Sequence, residues 1–222
     1  WMLGVGHHWT GSLIFALELQ SGNTDKQEID LDLNSVWRRS DIRYTLRASG
    51  ELDEANDVVT SDDYTVIGKS DRFLTDTTYA GANLYFEADE FARLKRRHMF
   101  STYYGKQWRP TPRLRFSTEP GLAFVSETRT ERETVTFFAF SWNIDMHSNV
   151  LGPKTDSYLT QVGVWNVEDS TDIVINTRIG LKMPVRPKFT VNTQLKLEYD
   201  TGAPVDVEEL DTTFTIGLGY RW

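Results

Sequence analysis

The 222-residue chain contains no cysteine, which excludes a disulfide framework and fits an envelope protein that avoids stray oxidation. No stretch approaches the ~18–20 consecutive apolar residues that a membrane helix needs. Basic residues are in the minority, since 24 Lys and Arg stand against 32 Asp and Glu and the formal net charge is −8. That balance argues against nucleic-acid binding, which needs a basic surface. No signal peptide is recognisable and Trp1 is not an initiator, so we expect a mature or trimmed chain.

In place of long hydrophobic runs, the chain has residues that alternate between apolar and polar. The clearest case is its last twelve residues, DTTFTIGLGYRW. A period of two puts one set on each face of a strand: Phe214, Ile216, Leu218, Tyr220 and Trp222 on one, and Thr213, Thr215, Gly217 and Gly219 on the other. A strand that ends on an aromatic residue is typical of the closing strand of a bacterial outer-membrane barrel, where that residue lies in the interfacial girdle.

Alternating segments of this kind recur along the whole chain and make about twelve strands, an even number as expected for a bacterial single-chain barrel. Connections after odd-numbered strands are mostly long and acidic, whereas those after even-numbered strands include the short RRSD, LTDT, RPTP and PVRP. Seven Trp and 13% aromatic residues fit interfacial girdles. The fold class predicted is therefore all-β, a single antiparallel transmembrane β-barrel over 9–222. A periplasmic segment over 1–8 precedes it, and both chain ends lie in the periplasm.

A soluble antiparallel sandwich is the alternative, because it also alternates and also has frequent turns. The mean hydropathy of −0.44 would suit it. A barrel can have the same value, since half of each strand faces a polar lumen. The expected strands run near the ~9–11 residues that a tilted membrane strand needs, and their polar faces carry both charge signs and glycines. These two features favour the barrel.

Three segments carry a family resemblance: 21–25 (SGNTD) in the first hairpin, 71–76 (DRFLTD) at the second short turn, and the closing strand over 211–222. With their order and spacing, the chain from about Trp9 to Trp222 resembles the YdiY-like family of salt-induced outer-membrane proteins, a domain of unknown function. The resemblance implies an outer-membrane β-barrel and no established activity. The chain departs from the family at the connection after the eighth strand and at Pro120.

In a barrel the polar faces of the strands line the lumen. The acids expected there are Glu18, Asp30, Asp32, Glu51, Glu119 and Glu198. The bases expected there are Arg43, Arg47, Arg113, Arg115, Arg178 and Lys182. Acids dominate the second strand and bases the third, seventh and tenth. The set therefore predicts either a narrow channel with a transverse field or a paired network that fills and rigidifies the lumen, since buried charges must be paired.

Other features give weaker expectations. Pro120 removes a ladder hydrogen bond, so we expect a bulge there. The acidic stretches over 53–63 and 167–172 could bind Ca²⁺ or bridge lipopolysaccharide, but they lack EF-hand order and are expected to be solvated loops. His7 and His8 lack a third metal ligand nearby. No Walker loop and no GxSxG motif is present, and no cofactor or metal is expected.

Three functions are compatible with the sequence. The first is a poorly conducting outer-membrane barrel or an envelope structural or docking element. The second is a narrow diffusion channel for small ionic solutes. The third is a membrane lipase, for which His98 and Ser126 are the one pair to consider; their distances from RPTP do not bring them opposite each other, so it is disfavoured. The expected partners are outer-membrane lipid and lipopolysaccharide, the barrel assembly machinery and other envelope proteins, and no nucleic acid.

Overall fold

The computed structural model describes residues 8–20, 26–56, 58–108, 111, 113–152, 154–203 and 207–222, with the side chains of 18–20 and 26–27 excepted. The SGNTD motif, His7 and the Glu18 side chain therefore lie outside the described residues. Strand β1 begins at His8. None of the described segments is a helix long and apolar enough to cross a membrane.

Twelve strands make up the described fold. Their bounds are β1 His8–Gln20, β2 Lys26–Arg39, β3 Ile42–Ala55, β4 Val58–Phe73, β5 Thr78–Asp89, β6 Leu94–Gln107, β7 Leu114–Arg129, β8 Val135–Ser148, β9 Asp156–Asn166, β10 Ile173–Arg186, β11 Phe189–Asp200 and β12 Leu210–Arg221. Each strand pairs antiparallel with its chain neighbours, and β1 pairs with β12, so the sheet closes into a barrel. The predicted all-β barrel of twelve strands is confirmed.

The inside and outside of the wall follow the alternation of the sequence. On β12, Phe214, Ile216 and Leu218 are exposed, with Leu218 at 68% exposure, whereas Gly217 and Gly219 are buried. Because successive side chains point to opposite faces, the apolar set covers the outer wall and the small residues face the interior. The faces predicted for the closing strand are confirmed.

We name the two ends of the barrel after the pattern expected from the sequence. The long-loop end holds the connections after odd-numbered strands, and the short-turn end holds those after even-numbered strands together with His8 and Trp222. The expected contrast in length is weak, because β3 and β4 are joined by 56–57 alone at the first end, whereas β8 and β9 are joined by 149–155 at the second. Aromatic pairs lie on the outer wall near the short-turn end, on the side from β11 through β1 to β3: Trp9 with Trp222 at 5.7 Å between ring centroids, Trp37 with Tyr44 at 5.4 Å, and Phe189 with Tyr220 at 5.5 Å. The Trp222 ring lies over Gly11, where any Cβ would collide with it.

Two local expectations are wrong. The stretch over 53–63 is not a long loop, because β3 runs to Ala55 and β4 starts at Val58. Alternation continues through it, and Glu51 pairs with Asp63 across the ladder. Pro120 also makes no bulge. Its register with β8 is unbroken, opposite Trp142, and the β6–β7 ladder skips two positions and resumes in the same register at Lys106 and Thr118. An exposed ring on the outer wall needs no extra residue.

Candidate functional site

The lumen is crossed by ion pairs between strands that are not neighbours in the sheet. Arg47 on β3 reaches Asp145 on β8 (Nη2 to Oδ2, 3.1 Å), Arg178 on β10 reaches Asp32 on β2 (3.0 Å), and Lys196 on β11 reaches Asp63 on β4 (2.8 Å). Neighbouring strands lie about 4.8 Å apart, so contacts between strands this far round the ring must pass through the interior. These pairs bridge the lumen.

A second set of charges lies inside the barrel near the long-loop end. The Arg97 guanidinium donates to Glu127 (2.9 Å), Glu87 (2.8 Å) and Asp200 (2.8 Å). Arg129 donates to Glu127 and to Asp200. Both arginine side chains are only 4% exposed. A guanidinium this deeply buried is tolerated when its donors are matched by acceptors, and here three carboxylates match two arginines from β6 and β7.

A third set, the short-turn cluster, joins β3, β4 and β6 near the opposite end. Asp71 is fully buried; it accepts a hydrogen bond from Arg43 Nε at 2.7 Å and another from the Tyr103 hydroxyl at 2.6 Å. The Arg43 guanidinium also lies over the Phe73 ring, 5.2 Å from its centroid, and over the Tyr79 ring at 4.7 Å. The second resemblance segment, 71–76, therefore begins with the buried acceptor of this cluster.

Glu119 on β7 extends the short-turn cluster across the lumen. Lys69 donates to Glu119 Oε2 at 2.5 Å, Asn143 donates to the same oxygen at 2.8 Å, and the Tyr79 hydroxyl donates to Oε1 at 2.7 Å. These donors come from β4, β8 and β5. One buried carboxylate therefore ties four strands together, with every donor inside the barrel.

An apolar cluster fills another part of the lumen, on the side of β5 to β10. Its buried members are Tyr85, Met99, Ala123, Val125, Phe137, Ala139, Val164 and Val174, with Ile67 packed against them. These side chains share a lumen with charged groups, so they exclude water from one side of it. The barrel interior there is a packed core.

The space that remains lies along the opposite side. One cavity, lined from β1 to β5 and from β8 to β11, offers about 110 Å³ to the centres of water molecules. A second offers about 20 Å³. Since a single water needs about 10–15 Å³ by this measure, the larger cavity has room for several waters. Arg47, Ile67, Tyr85 and Val162 line both cavities, so the Arg47–Asp145 bridge stands where the two meet.

Inward-facing charges are sorted along the barrel axis. In the half of each strand nearer the long-loop end, the inward acids are Glu28, Asp30, Asp32, Glu51, Asp53, Asp63, Glu87, Asp89, Glu127, Glu198, Asp200 and Asp211, and the bases are Arg97, Arg129, Arg178 and Lys196. In the other half the bases are Arg38, Arg43, Arg47, Lys69, Arg115, Lys182 and Arg221, and the acids are Asp71, Glu119, Asp145 and Asp156. Acids dominate the first half and bases the second.

This arrangement differs from the transverse field that strand-by-strand counting suggests. Acids dominate β2 because its charged inward positions lie mostly in its long-loop half. The two arginines of β3, Arg43 and Arg47, lie in its short-turn half, and the same strand carries Glu51 and Asp53 in its other half. Neighbouring strands run in opposite directions, so a chain-order count mixes the two ends. The separation of charge is axial.

The predicted lumen residues fall into four groups. Those with bridging or buried contacts are Asp32, Arg43, Arg47, Glu51, Glu119, Arg178 and Glu198. Asp30 is half-buried and Lys182 lies over the Tyr158 ring at 5.0 Å. Arg113 and Arg115 are exposed at the short-turn mouth. Only the backbone of Glu18 is described, where it pairs with Glu28.

Several residues of the ion-pair network are not among those predicted from the sequence. They are Lys69, Asp71, Arg97, Arg129, Asp145 and Asp200. Lys69 and Asp71 could have been found by continuing the alternation of β4, since both share a face with Phe73. Arg97 also continues the alternation of β6, since it shares a face with Met99 and Ser101. The period of two fails only beyond it, where the ladder with β7 shifts register between Leu94 and Arg96.

The lipase pair needs a correction. His98 and Ser126 do lie opposite each other on β6 and β7, contrary to the distance estimate. The hairpin between β6 and β7 pairs Gln107 with Ser117, so its centre lies at the last residue of RPTP and not at the middle of that motif. A count of residues from the middle of the motif is therefore offset. Both residues follow the outer face of the wall. The His98 ring packs edge-on against Phe86 at 5.2 Å, and no hydrogen bond joins the pair among the described contacts.

The acidic turn over 167–172 caps β9 and β10. The hydroxyl and backbone N–H of Thr171 donate to Asp169 at 2.7 and 3.0 Å, and they hold the pKa of that carboxyl below its usual value. Asn166 donates to Asp172 at 2.9 Å. Within the described part of the chain, no group of three His, Asp or Glu side chains is placed to hold a metal ion.

Comparison with known proteins adds a family and a fold. Residues 14–222 match the family model described as "Protein of unknown function, DUF481". The "Uncharacterized protein YdiY" of Escherichia coli (strain K12) is 23% identical over 217 residues, which are 95% of this chain and 82% of that protein. The structure is similar to the NanC porin, with a TM-score of 0.57 at 11% identity over 96% of this chain and 99% of the porin. At that identity, the likeness concerns the fold alone.

Proposed function

The chain belongs to the family "Protein of unknown function, DUF481", and from that premise we propose that it is a bacterial outer-membrane barrel with a closed lumen, an envelope structural or docking element that conducts solutes poorly. The observation that carries this proposal is the set of bridges across the lumen, Arg47–Asp145 above all. An open pore keeps its centre clear, whereas here charged side chains from opposite walls meet in it.

The outer wall supports residence in a membrane. Its exposed apolar side chains run round the barrel, and aromatic pairs gather near the short-turn end. Such a surface would be costly in water, because each exposed Å² of apolar area costs about 25 cal/mol relative to burial. Purified protein in detergent should run faster on a gel unheated than boiled, as a folded barrel does. Purification from the soluble periplasm without detergent would contradict the proposal.

Planar-bilayer recording tests the closed lumen. Wild-type protein should give little or no conductance, and Arg47→Ala with Asp145→Ala should raise it several-fold, because the two cavities then join. Removing both partners leaves no buried charge unpaired. The matched control is Arg72→Ala with Asp41→Ala, an exposed ion pair of 3.6 Å outside the lumen, which should leave the conductance unchanged. Equal conductance of both double variants would refute the role of the bridge.

A narrow diffusion channel for small ionic solutes is the second candidate, and the larger cavity favours it. That cavity runs past Asp32, Arg178 and Lys182, so its wall carries charges that a permeating ion would meet. The same recordings separate the candidates. Stable wild-type channels whose reversal potential shifts in Arg47→Glu would favour the channel, and silent membranes at high protein loading would favour the closed barrel.

We also propose that the protein is not an enzyme. His98 and Ser126 share a register position, yet a serine nucleophile needs a base within hydrogen-bond reach and a third group to orient that base. The His98 ring instead packs on Phe86. Lipid hydrolysis by the wild type that is abolished in both His98→Ala and Ser126→Ala would overturn this part of the proposal.

A further inference from the structure

Strand β6 carries two adjacent cations on its outer surface near the long-loop end. Elsewhere along β6 exposed and buried residues alternate, but Lys95 and Arg96 are both exposed between buried Leu94 and Arg97. The cause is a bulge: the ladder with β7 shifts register between Leu94 and Arg96. A bulge adds one residue to a strand and redirects side chains. Here the extra residue places two successive side chains, those of Lys95 and Arg96, on the outer face.

Neither outward cation has an acidic partner among the residues that the structure describes. The Arg96 Nε donates to the Thr128 hydroxyl at 3.4 Å, and Lys95 forms no ion pair within the described chain. The contrast with Arg97 next to them is sharp, since three carboxylates bind its guanidinium. The charges of Lys95 and Arg96 are therefore available to a ligand outside the barrel.

Beyond His98, on the same outer face, the wall is rich in aromatic side chains. Phe86, Phe100, Phe124 and Phe138 are exposed there on β5 to β8, with Phe138 at 61% exposure. Phe124 and Phe138 meet edge-on at 5.4 Å. A cationic rim above an apolar wall is complementary to a molecule that has an anionic headgroup and acyl chains.

The height of the cations fits the headgroup layer. Arg96 is twelve residues from Trp108, which is exposed at the short-turn end of β6. With a rise of about 3.4 Å per residue and a tilt of about 40°, they are separated by about 31 Å along the axis. The apolar band of such a barrel is about 25 Å tall. Arg96 therefore lies about 6 Å beyond the band if Trp108 marks its opposite edge.

We propose that Lys95 and Arg96 form a binding site for the phosphorylated glycolipid of the outer leaflet, with their ammonium and guanidinium on a lipid A phosphate and the acyl chains on the aromatic wall. This inference rests on the proposed outer-membrane residence, with the short-turn end on the periplasmic side as the sequence predicts. The long-loop rim also carries exposed acids, among them Glu90 in the connection before β6, but Lys95 and Arg96 stand side by side on the strand itself, next to the apolar wall. Strand β6 is thereby the face of the barrel that holds lipopolysaccharide.

Native mass spectrometry of the folded barrel in detergent, titrated with bis-phosphorylated lipid A, tests the site. Wild type should form a one-to-one adduct. Lys95→Ala with Arg96→Ala should bind about 30-fold more weakly, since each cation near an anionic lipid surface is worth about a factor of five. The matched control removes two exposed cations from the short-turn end, Arg39→Ala with Lys154→Ala, and should bind like wild type.

The outcomes separate the two proposals. A chain that never shows a heat-modifiable band fails as an outer-membrane barrel before any lipid is added. A folded barrel that forms no adduct, or whose two double variants bind equally, overturns the site alone. A lipid A analogue without phosphates should bind as weakly as the Lys95→Ala, Arg96→Ala variant, and binding equal to that of the phosphorylated form would also overturn the site. Millimolar inorganic phosphate should not displace the lipid, because it lacks contacts with the aromatic wall.

Discussion

Leu218 and Thr215 lie three residues apart on β12, one on each face of the wall. Leu218 is exposed on the outer face, opposite Phe15, and lies four residues from Trp222. That spacing puts it about 10 Å from the interfacial girdle, near the bilayer centre. Thr215 is half-buried on the inner face, opposite Gln194 on β11. These two residues, although close in sequence, therefore face different surroundings: Leu218 the outside of the wall and Thr215 the lumen.

Leu218→Arg should cost about 2–4 kcal/mol of folding free energy in lipid, because an arginine faces hydrocarbon there. Thr215→Arg should be much milder, because its side chain enters a polar lumen beside acids such as Asp30. Urea titration of both variants in liposomes, followed by heat-modifiable gel mobility, measures the difference. Equal stability would mean that the inside and outside are reversed or that no membrane barrel forms.

Other residues explain why part of the site escaped prediction from sequence. Which face a side chain takes follows from parity alone, so the inward positions of Asp32, Arg47 and Arg178 were predictable. Which partner each one meets was not. Arg47 contacts Asp145, 98 positions along the chain, because the shear and tilt of the closed sheet bring β3 and β8 to one level.

At the scale of the strands, the short-turn cluster makes β3, β4 and β6 one unit. Asp71→Asn should destabilise the barrel by about 3 kcal/mol, the lower end for breaking a buried ion pair, because Arg43 keeps some solvent exposure and Glu119 at 4.0 Å. Denaturant unfolding in liposomes measures this. The control Asp41→Asn removes the acid of an exposed pair with Arg72 and should cost at most about 1 kcal/mol. A similar loss in both variants would show that Asp71 contributes no more than a surface charge.

The strands themselves were largely predictable, because each must alternate to face lipid and lumen at once. Their ends were less so. At β3 and β4 the acidic stretch over 53–63 predicts a loop, because acidic runs are usually solvated, yet Asp53 and Asp63 face inward from extended strands. The bulge in β6 and the register of His98 with Ser126 depend on hairpin geometry, which no local pattern encodes.

At the scale of the whole molecule, the chain combines an apolar exterior with an interior divided between packed side chains and a polar cavity. The apolar cluster on the side of β5 to β10 and the bridges at both ends fix the cross-section. The cavity is confined to the other side. The bridges hold the wall in one shape and also occupy the path that a solute would take.

Because acids and bases are sorted along the axis, an opened lumen should conduct ions better in one direction than in the other, as a diode does. Fixed acids fill the long-loop half with mobile cations, and fixed bases fill the short-turn half with mobile anions. A positive potential on the long-loop side drives both carriers toward the middle, where they accumulate and raise conductance. The reverse potential drives both carriers out of the middle and lowers the conductance. Single channels of the Arg47→Ala, Asp145→Ala variant should therefore pass more current when the long-loop side is positive.

Because the chain has no cysteine, one biotin on Thr130→Cys in the β7–β8 turn marks the long-loop side, and streptavidin added to one chamber identifies each channel's direction. The asymmetry should be strong in 0.1 M KCl and fade at 1 M, where the screening length falls from about 10 Å to about 3 Å. A symmetric current–voltage curve at low salt would mean that the inner charges compensate one another locally. An asymmetric curve would show that the opened barrel rectifies ionic current, and that the ion pairs of the wild type prevent this current by blocking the lumen.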